Sequence, residues 1–115
     1  MNIAMVLLSL CLQMGVDEQS CPTLMEGTDY PTILRLGDIM VYVATKSDDH
    51  YILYSEKSIK KLSEKEVSQV LVHELTHYIM YAEDGVNTHQ HKSSFRKKCK
   101  ALSIQVNVSN KSCGK

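Results

Sequence analysis

The run Val70-Leu71-Val72-His73-Glu74-Leu75-Thr76-His77-Tyr78-Ile79 places two of the chain's five histidines four residues apart, with a glutamate directly after the first. Residues four apart on a helix are separated by about 40° around the axis and about 6 Å along it. Two imidazoles so placed can converge on one metal ion. Glu74 falls between them in angle and is displaced along the axis, so its carboxylate can reach water beside that ion. Zinc lowers the pKa of such a water to about 7, and a nearby carboxylate can then take its proton. The pattern is H-E-x-x-H, and the chemistry it fits is metal-assisted hydrolysis. A chance match somewhere in a chain of this composition is on the order of one per cent. The plain alternative is two surface histidines on an amphipathic helix.

A catalytic zinc takes three protein ligands and keeps one position open. Glu83, Asp84, His89 and His91 are the downstream candidates. A metzincin would place its last histidine where Glu83 stands, after a glycine that turns the chain back. Met80 occupies that glycine's place, which argues against Glu83. No spacing argument supports Asp84. His89 and His91 lie in T-H-Q-H beyond Gly85. In an extended segment their side chains would fall on opposite sides, so one of the two is expected to ligate.

The elements that must position these groups are readable around them. Ser63-Glu64-Lys65-Glu66 is a capping box ahead of an apolar run. Val67, Leu71, Leu75, Tyr78 and Ala82 recur at helical spacing, with Val70 and Ile79 beside them. The spacing predicts a helix from about Glu64 to about Ala82 that stops near Gly85, a left-handed terminator. On ideal geometry the two histidines lie roughly 150–220° from that stripe. One face would then feed the core and the other a cleft.

Upstream, residues 17–31 read as a connecting loop. Ile33–Leu36 and Ile39–Thr45 read as short strands, Lys46–His50 as a turn, and His50–Ser55 as a further strand closing a hairpin. Downstream, a second helix is expected from about Lys92 to Leu102, with Phe95, Cys99 and Leu102 on one face. Ile104–Val108 could add a strand, and the tail NKSCGK reads as a frayed end. The whole is a single α+β domain over 1–115: a small, mainly antiparallel sheet packed on the H-E-x-x-H helix, with one or two further helices.

Bulk properties exclude more than they assign. The formal net charge is zero, so no whole-molecule electrostatic partner is implied, and the absence of Trp leaves no obvious base-stacking platform. Cys11, Cys21, Cys99 and Cys113 contain no C-x-x-C pair. They could be four thiols or two disulfides. Ile3–Val16 is almost unbroken apolar sequence, too short for a membrane span of about 20 residues. A buried N-terminal helix is favoured over a secretion signal. The first residues lack Lys and Arg, no A-x-A-like site follows, and Leu10 stands where a lipoprotein signal ending at Cys11 would have a small residue. A cytoplasmic location is accordingly favoured over export, with no stable membrane span. Oligomeric state is not legible.

The segments HYILYS, SEKEVSQVLVHELTHYIMY and GVNTHQHKSSF occur in an order that resembles the zincin metallopeptidases, most closely the SprT-like group. In that group a strand leads into the H-E-x-x-H helix, and a glycine-containing loop leads to a third histidine in H-G-x-x-[WF]. His91 and Phe95 repeat the spacing, with Lys92 in place of the usual glycine. The resemblance covers roughly residues 50–102. It implies a zinc-dependent peptidase in which His73, His77 and His91 hold the metal and Glu74 is the general base. It also implies that the strand His50–Ser55 lines the cleft, where an extended peptide could pair as an added strand. The group's usual C-terminal zinc ribbon is missing, since Cys99 and Cys113 stand alone.

Two other readings compete. One is a catalytically inactive zincin-like module that binds metal or a protein partner. The other is a protease acting on DNA-associated proteins, as some SprT-like enzymes do, through the basic segment of Lys92, Arg96, Lys97, Lys98 and Lys100. A solvated helix face explains those charges more simply. Tyr51, Tyr54, Tyr78 and Tyr81 could each donate a hydrogen bond to a developing oxyanion, and nothing singles one out. His50 is expected at the surface.

Overall fold

The computed structural model describes residues 2–27, 38–85 and 91–114. The strand expected over 33–36 and the candidate ligand His89 lie outside these residues. Among the described residues the fold is α+β: four α-helices and a three-stranded mixed sheet.

Short polar signals set the helix ends. Asn2 caps α1 (Ile3–Gln13) by accepting the Met5 amide. Gly15, at φ 80°, ends it, and the Val16 amide returns to the Cys11 carbonyl at 2.8 Å. That 6→1 bond closes a Schellman turn, which needs a residue tolerant of left-handed backbone. Leu7, Leu10 and Cys11 of α1 are buried, as expected of a packed N-terminal helix. No helix among the described residues is long and apolar enough to cross a membrane.

The sheet has the order β1-β3-β2, with β1 Thr23–Glu26, β2 Met40–Ala44 and β3 His50–Tyr54. β2 and β3 form the expected hairpin, antiparallel, with Tyr42 opposite Ile52. Its loop is closed by Asp48 N–H on the Thr45 carbonyl, with Asp48 itself at φ 63°. A left-handed residue at the end of a three-residue hairpin loop matches the right-handed strand twist. β1 pairs with β3 in parallel, from Thr23 beside Tyr51 to Glu26 beside Tyr54. The expectation of a mainly antiparallel sheet is therefore corrected. Thr23–Glu26 lies in what reads as a loop, because four residues are too few to display alternation.

α2 (Glu56–Ile59) is a single turn capped by Ser55. α3 (Glu64–Asp84) opens on the predicted capping box: Ser63 Oγ accepts the Glu66 amide and Glu66 Oε1 accepts the Ser63 amide. Gly85, at φ 68°, terminates it. α4 (Ser93–Gln105) buries Phe95, Cys99, Leu102 and Ser103. It runs into the stretch expected as a strand, taking in Ile104 and Gln105 with Val106 as its C-cap. Ile104-Gln105-Val106-Asn107-Val108 alternates like a strand, but Leu102 and Val106 are four apart and both buried, so the helical period prevails. Asn107 at φ 57° then ends the helix, with the Val108 amide on the Ser103 carbonyl. The tail is not frayed: Lys111–Gly114 is a 3-10 turn with Cys113 buried.

The four cysteines pair as Cys11–Cys21 and Cys99–Cys113. The first ties α1 to the segment before β1, and the second ties α4 to the C-terminal turn. α3 lies at the centre, packed against by β2, α1, α4 and that turn. Val72 and Glu74 through Ile79 are all buried. Among the described residues, burial is therefore not confined to the apolar stripe of α3. On the histidine side Glu74 and His77 are buried and His73 is half-buried.

Candidate metal centre

His73 and His77 lie one turn apart on α3, and His91 approaches from the segment just ahead of α4. One ligand atom from each lies within 4.8 Å of the other two. His73 Nε2 is 3.1 Å from His91 Nε2. Phe95 forms the wall behind them, stacked on His77 at 4.3 Å and on His91 at 4.8 Å between ring centroids, and edge-on to His73 at 5.0 Å. At 2 % exposure, Phe95 seals one side of the cluster from water.

The His73 tautomer follows from its partner. Nδ1 lies 2.8 Å from the Ser112 carbonyl oxygen. A carbonyl only accepts, so the proton of neutral His73 sits on Nδ1 and Nε2 carries a bare lone pair. That lone pair is directed at the other two imidazoles. Burial holds the His73 pKa below the usual histidine value. The Ser112 hydrogen bond opposes this, and the neighbouring His91 adds to it. The ring is thus held neutral, the form that ligates a metal.

Glu74 is buried beside the cluster. Its Oε1 accepts the Tyr42 amide at 2.9 Å, and its Oε2 lies 3.9 Å from His73 Nε2. β2 aims that amide for a geometric reason. Ser55 N–H to Ile39 carbonyl and Thr45 N–H to Asp49 carbonyl mark 39/55 and 45/49 as hydrogen-bonded pairs. Alternation then turns the amides of Met40, Tyr42 and Ala44 away from β3, toward the outer edge of β2. Burial pushes the Glu74 pKa up to about 8. The Tyr42 amide works against that shift, and the negative charge of Asp38 works with it.

The other sequence candidates fall elsewhere. Glu83 pairs with Lys98 at 3.1 Å, and Asp84 is exposed. Neither belongs to the histidine group. β3 is the central strand, paired on both sides, so it offers no edge to a peptide, contrary to expectation. His50 is not a plain surface residue: Nδ1 lies 2.7 Å from the Tyr42 hydroxyl and Nε2 3.3 Å from Asp48 Oδ1. Tyr51, Tyr78 and Tyr81 line a cavity of about 530 Å³ with His50 and Asp48, and none of the three clustered histidines lines it. The Tyr78 hydroxyl donates to the Ser20 carbonyl. Lys92, Arg96, Lys97 and Lys100 are exposed along α4 and its cap, as a solvated face would be.

The motif could not announce Tyr42 and Ser112. Both act through the backbone, where residue type carries no signal. The one available hint for Ser112 was its neighbour Cys113 and an even cysteine count.

Fold and site together define an α+β protein in which three histidines could hold a metal ion next to a buried carboxyl. The sequence pattern of the SprT-like family matches residues 27–113, and the chain belongs to that family. The match takes in β2 through the C-terminal turn and leaves α1 and β1 outside. No curated protein and no solved structure matches the chain.

Proposed function

We propose that the protein is a zinc-dependent metallopeptidase, with His73, His77 and His91 as ligands and Glu74 as general base. What carries the reading is the convergence of three imidazole nitrogens within 4.8 Å beside a carboxyl on the same helix. The donor set fits the ion. Three neutral imidazoles with no thiolate are a usual zinc set that leaves a fourth position open. The unprotonated Nε2 of His73 faces Nε2 of His91 at 3.1 Å, so the two nitrogens can share either a proton or a metal ion. Zinc, when bound, would supply the Lewis acidity that makes water nucleophilic near neutral pH and polarises a peptide carbonyl.

The chain's own residues do the rest. Tyr42 N–H fixes Oε1 of Glu74, which leaves Oε2 turned toward the histidines to accept a proton and then give it to the leaving amine. A positive charge held by the three imidazoles favours the ionised form of Glu74 and offsets the effect of burial. The Ser112 carbonyl keeps His73 in the ligating tautomer. The outer edge of β2 is where an extended peptide would align, in place of β3. The two disulfides favour an oxidising compartment over the cytoplasm.

Elemental analysis of purified protein, paired with cleavage of an unstructured protein, tests this. Wild type should carry one zinc per chain and cut. Glu74→Gln should keep the zinc and lose turnover by at least about 100-fold. His77→Ala and His91→Ala should lose both, whereas His89→Ala should retain the metal. A zinc-loaded wild type that cuts nothing would favour the inactive binding module. A chain that stays empty in stoichiometric zinc would refute both.

A further inference from the structure

We propose that the Cys99–Cys113 disulfide is a positioning device for a metal ligand, making metal affinity depend on the redox state of that pair. The inference rests on the reading of His73, His77 and His91 as the metal site, and it goes beyond that reading by naming what holds the site in register.

The argument follows the contacts outward from His73. Its Nδ1–H donates to the carbonyl of Ser112, a residue 39 positions away in sequence. That acceptor is main chain, so only the placement of the C-terminal turn keeps it there. The turn is one short 3-10 stretch, Lys111–Gly114, too short to hold itself. The cross-link at Cys113, the residue next to Ser112, fixes it to α4. Cys113 is buried, and its sulfur lies 3.5 Å from Ser103 Oγ, which donates to the Cys99 carbonyl. On the other side of the cross-link, Cys99 sits one helical turn after Phe95, the ring stacked on His77 and His91. One covalent bond thus secures the acceptor that orients His73 and the helix that backs the other two imidazoles.

Reduction by a dithiol breaks the S–S bond. The reductant supplies two electrons and two protons, leaves as its own cyclic disulfide, and Cys99 and Cys113 become thiols. The turn then loses its covalent anchor and is held by packing alone, and the Ser112 carbonyl with it. His73 loses the partner that fixed its proton on Nδ1, and its two tautomers compete. The loss of such an outer partner lowers metal affinity about 10–100-fold.

The other disulfide supplies the control. Cys11–Cys21 joins α1 to the segment before β1, and none of the three histidines lies on either. Zinc affinity, measured by chelator competition, should fall about 10–100-fold in Cys99→Ser/Cys113→Ser and stay within about twofold in Cys11→Ser/Cys21→Ser. Imidazole ¹⁵N shifts of His73 in metal-free protein give a second readout that general destabilisation would not move. The oxidised wild type should show the Nδ1–H tautomer, and the Cys99→Ser/Cys113→Ser protein a mixture. Should that double variant not fold, the wild-type tautomer still decides. A His73 with its proton on Nε2 overturns the proposal, as does equal zinc affinity in the two double variants. If the wild type binds zinc and the variants match it, this inference alone fails. If the wild type binds none, the proposed function fails with it.

Discussion

Titrating the stability of the metal-free protein should isolate Glu74. Burial raises its folded-state pKa from 4.5 to about 8. The folded chain therefore keeps a proton that the unfolded chain gives up. A raised carboxyl pKa contributes stability that is fully present below the unfolded value of 4.5 and is lost as pH rises through about 8. The gap of about three and a half pH units corresponds to a total on the order of 5 kcal/mol. Integrated only between about pH 5 and about pH 8, the loss is about 3 to 4 kcal/mol. Glu74→Gln stays neutral throughout and keeps an oxygen for the Tyr42 amide, so it lacks this slope. His73 works in the opposite sense. Its depressed pKa makes stability rise with pH up to the ordinary histidine value, but it does so in both proteins and cancels in the difference. The assay is urea denaturation of both proteins across that range, with chelator present and disulfides intact. Wild type should be about as stable as the variant near pH 5 and clearly less stable near pH 8. Parallel curves would refute the buried, proton-holding carboxyl and the geometry on which its proposed catalytic role depends.

Two further outcomes test the surroundings of the site. Phe95→Ala removes the ring stacked on His77 and His91, so it should cost about 3–5 kcal/mol by denaturant unfolding and weaken zinc uptake as well. Gly85→Ala meets no steric contact but must adopt φ 68°, so it should lower stability by about 1 kcal/mol, read as a shift in thermal midpoint, with the metal retained.

What was legible in the sequence was what rests on side-chain type and local period. The capping box, the terminator at Gly85 and the stripe from Val67 to Ala82 place α3 within two residues of its observed end. The spacing of His73 and His77, with Phe95 four after His91, points to the residues that the fold gathers. What was not legible depends on partners distant in sequence. β1 is a strand because β3 lies beside it, and Thr23–Glu26 alone carries no such signal. The partner of Glu74 is a backbone amide 32 residues away, and that of His73 a carbonyl 39 away. The burial of the histidine side of α3 has the same origin. Helical angles told which residues share a side, but not that α4 and the C-terminal turn would cover it.

Two of the three imidazoles ride on one enclosed rod, α3, whereas the third arrives from beyond Gly85. Such a division means that α3 and α4 must pack on each other before the three nitrogens can meet, so the trio is completed by tertiary structure and not by one helix alone. Parting α4 from α3 would scatter the trio while leaving His73 and His77 one turn apart.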